Sequence, residues 1–387
     1  MKRILLVWVL IFLVLFSVPV NAAAVELDTA GKSALLMDVA TGSVLYEKNA
    51  HEPLAPASVT KVMTMLLIME AIDSGKIQWE DSVTASEAAA AKGGSQVYLK
   101  VGETMSVADM VKSIAVSSAN DCACAMAEHL AGSESAFVEL MNRRAEELGM
   151  KDTHFVNCTG LDDEASAQDH RTSAHDIAVM SRELLKNHPD IQKYTTIWMD
   201  TIRDGVFGLS NTNKMVRFYS GCTGLKTGFT SGAGYCLSAS AQREGLDLIA
   251  VVMGAETSQN RFAACKSMLD YGFANFAIYS PDVPADTAIP VKLGKSTVIG
   301  AVPGEDTSLL VEKSQRGSIT TQLTLEESVT APVSTGQRLG TMTVSAGEQI
   351  LAQIPLVAGE SVARLTFFDL FRQILARVCM ANLSPET

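Results

Sequence analysis

Residues 56–73, Pro-Ala-Ser-Val-Thr-Lys-Val-Met-Thr-Met-Leu-Leu-Ile-Met-Glu-Ala-Ile-Asp, constrain this chain more than any other stretch. Pro56 is suited to the entrance of a helix, and Ser74-Gly75 supply a stop. Between those signals, Val62, Met63, Met65, Leu66, Leu67, Ile68, Met69 and Ile72 fall on nearly every side of the predicted helix. A helix that is apolar all round is a buried one, so the fold must wrap other elements about it. Ser58 and Lys61, three residues apart, lie roughly 60° apart around the axis and share a face. Burial can lower a lysine from its usual pKa of about 10.4, so this pair has the makings of a nucleophile and its base. Taken alone, the same two residues fit better a helix cap beside a lysine that reaches out to solvent.

The N-terminus, Met1-Lys2-Arg3 followed by an apolar run from Ile4 to Val20, reads as a signal peptide over residues 1–22 with cleavage after Ala22. An uncleaved membrane anchor is the alternative, because the run is nearly long enough to span. Either way, the rest of the chain is expected outside the cytoplasm. The net charge of −12 becomes −14 once Lys2 and Arg3 are removed, which excludes non-specific nucleic-acid binding. Seven scattered cysteines do not form a disulfide framework and are read as isolated buried thiols. No Cys-x-x-Cys or His-rich spacing calls for a metal, and no Gly-rich loop follows a strand to cradle a phosphate or a cofactor.

Along the chain, Ser33–Asp38 and Ser43–Lys48 flank Ala40-Thr41-Gly42 as a hairpin. Helices are expected from Val107 to near Val116 and over Ala123–Leu130, Ser135–Leu148 and Ser173–Leu185, the last with Ser173 and Asp176 as a capping box. Ser117-Ser118-Ala119-Asn120-Asp121 is expected as a loop between two helices. Beyond residue 220 the pattern turns to strands, with Lys226-Thr227-Gly228-Phe229-Thr230 leading into an apolar hairpin over Tyr235–Met253. Arg261–Phe276 then closes a first domain spanning 25–279, and Ser280–Ala285 reads as a linker. Short β-branched runs from 286 to 358, including Ser308–Glu312, predict a small all-β domain. The segment 360–381 predicts an amphipathic helix over Val362–Met380, with Phe367, Phe368, Leu370, Phe371, Ile374, Leu375, Val378 and Cys379 on one half. Its interior charges make it a poor spanning segment. It suits a helix lying in a membrane surface, or one docked on the β domain.

Three short motifs stand in order: Ser58-Val-Thr-Lys61, Ser118-Ala-Asn120 and Lys226-Thr227-Gly228. Through them the chain resembles the penicillin-recognising serine enzymes, and most closely the low-molecular-mass penicillin-binding proteins that act as D-alanyl-D-alanine carboxypeptidases. The resemblance covers most of the mature chain. It implies an α/β (α+β) fold class: a serine β-lactamase/transpeptidase-like domain with helices around an antiparallel sheet, then a small all-β domain and a C-terminal membrane-associating helix. It implies peptidoglycan stem peptides and β-lactams as partners, and no cofactor.

Carried over residue by residue, the resemblance makes Ser58 the acylated nucleophile, Lys61 its general base and Ser118 the proton relay to the leaving D-alanine. Asn120 would hold the substrate amide, and Lys226 would keep the pocket positive and depress the pKa of Lys61. Thr227 would donate to the substrate carboxylate, Gly228 would let the strand approach, and the backbone N–H groups of Ser58 and Phe229 would hold the oxyanion. Two departures stand out. Phe229 occupies a place where the family often has histidine, and Asn211-Thr212-Asn213 stands where some members carry Asn-Arg-Asn. The substrate carboxylate is then left to Thr227, Thr230 or Arg261. Readings kept open are a β-lactamase, disfavoured because no Glu-x-x-Leu-Asn element precedes the Lys-Thr-Gly strand, a D,D-endopeptidase, and a non-catalytic wall-binding protein.

Overall fold

A computed structural model describes residues 27, 29–162, 165–283 and 287–381. The expected signal peptide lies outside the described residues, as do Pro284 and Ala285 of the expected linker and the side chains of Val378 and Cys379.

Two strands, β1 (Ser33–Asp38) and β2 (Val44–Lys48), form the expected first hairpin. The buried stretch around Ser58 begins as a single 3₁₀ turn, Ala57–Thr60, and continues as helix α1, Lys61–Asp73. Val62, Met63, Met65, Leu66, Ile68 and Met69 of α1 are fully buried. At about 1.5–3 kcal/mol per buried side chain, this helix is a large part of the core. Around it pack α2 (Val107–Ser117), α3 (Asn120–Ala131), α4 (Glu134–Glu147) and α5 (Ala174–Asn187). Ser173 caps α5 by accepting from Asp176 N. Asp176 does not close the expected capping box, because its carboxylate accepts from Asp152 N and Thr153 Oγ1 instead.

The chain returns to the sheet through β3 (Cys222–Thr230), β4 (Gly234–Arg243) and β5 (Leu246–Ala255). The antiparallel sheet runs β2-β1-β5-β4-β3, so β3 is an edge strand. Glu244 and Gly245 both take positive φ, 51° and 80°, which is the backbone of a two-residue hairpin turn. Helix α6 (Ser258–Asn275) covers the other face of the sheet, starting three residues before the expected Arg261 because Thr257 caps it.

A six-stranded β domain follows. Its strands are β6 (Ala288–Lys292), β7 (Val298–Pro303), β8 (Ile319–Leu325), β9 (Val329–Thr330), β10 (Arg338–Ala346) and β11 (Gln349–Ala358), ordered β8-β10-β11-β7-β6-β9. Leu309–Glu312, expected within that domain's sheet, instead pairs antiparallel with Phe276–Tyr279 at the end of α6. It therefore fastens the β domain to the first one.

The last helix, α7, spans Phe367–Ala381 and starts five residues later than expected. Thr366 Oγ1 accepts from Asp369 N, and Asp369 Oδ2 accepts from Thr366 N, a reciprocal box that sets the start. Val362 belongs to the β domain, pairing with Val333 and buried in its core. Phe367 and Phe368 are 78% and 76% exposed, so this part of the apolar face is not docked on the β domain.

Candidate active site

Lys61 is fully buried at the start of α1. Its Nζ donates to Thr159 O at 2.8 Å and lies 2.9 Å from Ser58 Oγ. Burial is the largest influence on the amine and lowers its pKa to about 7, against smaller opposing effects of Cys158 and Asp121. Desolvation in a dry core, rather than the Lys226 charge, is thus the largest cause. In its neutral form Lys61 can keep one N–H on Thr159 and offer its lone pair to the Ser58 hydroxyl.

Lys226 on β3 is also buried, and its Nζ donates to Thr227 O at 3.0 Å. Burial, then Lys61, then Arg261 hold it well below the usual lysine range. The two amines thus share one dry cleft and oppose each other's protonation. Gly228 explains how the strand comes so close. A Cβ there would lie 2.6 Å from Pro56 O and 3.0 Å from Ser58 N, so only glycine lets β3 lie against the Ser58 backbone.

Ser118 sits on the turn between α2 and α3 in the left-handed region, φ 62°, and is buried. Asn120, expected in the loop, is the first residue of α3. Its Nδ2 donates to Gly93 O at 2.7 Å and its N–H to Ser95 O at 2.7 Å. Among the described residues its buried Oδ1 has no hydrogen-bond partner, leaving an acceptor free for an N–H. The segment 157–161 joins these groups. Thr159 holds Lys61, while Leu161 and Asn120 both border Gly94.

Of the three residues considered for a substrate carboxylate, the structure separates the roles. Thr227 Oγ1 donates to Thr212 Oγ1 at 2.7 Å. Arg261 lies beneath the strand, where Nη1 donates to Gly228 O at 2.8 Å and to Cys236 O at 3.2 Å. Thr230 Oγ1 accepts from Ala233 N in a turn. Phe229 is half exposed and stacks on Tyr235 with ring centroids 4.2 Å apart. Flanking Thr212, Asn213 Nδ2 donates to Gly224 O and Asn211 Nδ2 to Ile197 O, so the two asparagines brace the segment against β3 and its neighbours.

Sequence reasoning missed Thr159, Gly160, Thr60 and His170, and noted Thr212 only as a departure from the family pattern. Gly160 alone carried a cue, a glycine in a loop, which here takes φ +83°. Away from this cleft, Glu70, Glu183 and His188 bring ligand-type atoms within 4.8 Å of one another. Arg144 already spans the two carboxylates at 2.7 and 2.6 Å, so a guanidinium fills the place a cation would take.

A D-alanyl-D-alanine carboxypeptidase family model matches residues 20–257, and a model of the penicillin-binding protein 5 C-terminal domain matches 273–364. D-alanyl-D-alanine carboxypeptidase DacF of Bacillus subtilis is 42% identical over 356 residues, covering 90% of each chain. Penicillin-binding protein 5 of Haemophilus influenzae superposes with a TM-score of 0.75 at 29% identity, covering 88% of this chain and 99% of that one. The ampicillin-bound penicillin-binding protein D2 of Listeria monocytogenes superposes at 0.59 with 31% identity, covering 64% of this chain and all of its own. A buried lysine beside a serine, facing a Lys-Thr-Gly edge strand in a chain with these relatives along nearly its whole length, belongs to the D-alanyl-D-alanine carboxypeptidase family of serine peptidases.

Proposed function

We propose that Ser58 is the nucleophile of this carboxypeptidase and Lys61 its general base. The observation that carries the reading is the fully buried amine, lowered to about 7, lying 2.9 Å from Ser58 Oγ. Neutral Lys61 takes the Ser58 proton as Oγ attacks the carbonyl between the two terminal D-alanines of a peptidoglycan stem peptide. The oxyanion rests on the N–H groups of Ser58 and Phe229, each such donor being worth roughly 2.7–4 kcal/mol. Ser118 passes the proton from Lys61 to the departing D-alanine nitrogen as the C–N bond breaks. Water, deprotonated by Lys61, then hydrolyses the ester and restores Ser58.

Asn120 Oδ1, without a partner among the described residues, accepts the substrate's amide N–H. The Thr212–Thr227 hydroxyl pair faces the terminal carboxylate, with Lys226 supplying positive potential when protonated. Gly228 and Thr230 shape the edge strand along which the peptide lies. β-Lactams acylate the same serine, in keeping with the ampicillin-bound relative.

The chain acts outside the cytoplasm, at the wall side of the cytoplasmic membrane. Among the described residues no helix is long and apolar enough to cross a membrane. The exposed phenylalanines of α7 support a helix lying in the membrane surface instead.

Labelled penicillin followed by peptide mapping tests the assignment. Stable label on Ser58 and D-alanine release from a pentapeptide are expected. Label on another residue removes the nucleophile assignment, rapid loss of label points to a β-lactamase, and preference for a cross-linked dimer points to an endopeptidase.

A further inference from the structure

The carbonyl and N–H of one trans peptide unit point in opposite directions, so whatever grips the Ala57 oxygen also aims the Ser58 N–H. That oxygen is gripped. Thr60 Oγ1 donates to Ala57 O at 2.8 Å, and His170 Nε2 lies 2.8 Å from the same hydroxyl. On the other side of the ring, Val156 N donates to His170 Nδ1 at 3.1 Å. Nδ1 is therefore an acceptor and Nε2 carries the proton, which it gives to Thr60 Oγ1. The threonine's one proton is committed to Ala57, so every atom of the relay has a single role. Thr60 and His170 are both buried. Burial first, then His154, Arg171 and Lys61, lower the imidazole to about 4, so it is neutral near pH 7.

The peptide needs such a grip. Ala57 takes φ +48°, a region that costs any residue with a Cβ and that relaxes by turning the adjoining peptide. Gly160 packs so tightly on this unit that a Cβ there would overlap the Ala57 carbonyl. The strained residue stands immediately before Ser58.

We propose that His170 and Thr60 are positioning residues for the acyl-transfer reaction: the His170–Thr60–Ala57 relay holds the Ala57–Ser58 peptide so that the Ser58 N–H is preset as an oxyanion donor. The proposal rests on Ser58 being the nucleophile. Through Val156, the same ring also ties this peptide to the segment whose Thr159 carbonyl holds Lys61.

The test uses the full chain with Thr60→Val, which keeps the shape and loses the hydroxyl, Thr60→Ser, which keeps the hydroxyl, and His170→Asn, which is too short to reach Thr60. Active sites are counted with fluorescent penicillin, and a peptide boronic acid is the probe, since its tetrahedral adduct on Ser58 puts an oxygen against the donor. Thr60→Val and His170→Asn are expected to weaken the boronate by about tenfold or more and to slow acylation per active site by a similar factor. KM for a peptide substrate and the acid-limb midpoint stay as in the parent, and Thr60→Ser restores both boronate affinity and acylation rate to within about threefold. A generally loosened fold would lower the number of active sites without this split. Thr60→Val within twofold of the parent, or Thr60→Ser as damaged as Thr60→Val, overturns the proposal. If His170→Asn fails to fold, the two Thr60 variants decide between these outcomes. A parent chain that takes no label on Ser58 refutes the nucleophile assignment, and this proposal with it.

Discussion

At pH 7 about half of the Lys61 amines are without a proton, because burial lowers the group from 10.5 to about 7. The base form is the neutral one, so acylation by penicillin is expected to fall about tenfold per pH unit below that midpoint and to level off above it. A pH profile of the second-order acylation constant checks this, and a midpoint near 10 would exclude Lys61 as the base. The sign for stability runs the same way. Between about 7 and 10.5 the unfolded chain holds the proton and the folded chain does not, so this group's contribution to stability rises with pH across that window. The proximity of Ser58 and Lys61 was legible from their spacing, and the close approach at Gly228 only from the resemblance. The duty of Thr212 was not. A threonine opposite the Thr227 hydroxyl looked like the loss of an arginine, because its partner lies 15 positions away in sequence.

Among the elements, β1 and β5 carry an electrostatic burden unrelated to the cleft. Asp38 ends β1 and Asp247 is the second residue of β5, and in each the buried Oδ1 has no hydrogen-bond partner among the described residues. Burial, then the Asp38 charge, raise Asp247 to about 7. Its folded pKa lies above its unfolded value, so the stability it contributes is fully present below about 4 and is lost as pH rises through about 7. Asp247→Asn is expected to raise Tm at pH 8.5, by about 2–4 °C for each kcal/mol recovered, and to flatten the decline of Tm between pH 4 and 8. Thermal melts at several pH values measure this, and an unchanged slope removes Asp247 as the cause. At this scale the periodic elements were readable: the all-round apolar α1, the hairpins and the capped α5. Asn120 was misplaced because the residue at the N-cap is Ala119, which has no side-chain acceptor to cap a helix, and the αL conformation of Ser118 ends one helix so sharply that the next begins two residues later.

For the whole molecule, the position of Val362 determines where a truncation can be made. A cut at residue 360 removes Val362 from the core of the β domain, whereas a cut after Thr366 removes only α7 and the C-terminal residues beyond it. Deleting 367–387 is expected to leave the acylation rate within about twofold and Tm nearly unchanged, while releasing the protein from lipid vesicles. Continued sedimentation with vesicles would assign membrane binding elsewhere, and a fall in Tm of many degrees would mean that α7 is part of the fold. Hydropathy period and turn residues were enough to read the order of the elements, and three short motifs carried the resemblance that implied the fold class and the serine–lysine chemistry, because each depends on residues close together in the chain. The pairing of Leu309–Glu312 with the first domain, the Thr212–Thr227 hydroxyls, the commitment of Arg261 to strand carbonyls and the His170–Thr60 grip on Ala57 emerged only on folding. Each joins groups 15 to more than 100 positions apart or strains a local backbone. Neighbours in sequence cannot specify such contacts, which form when the core brings distant polar groups out of water and each must find a partner.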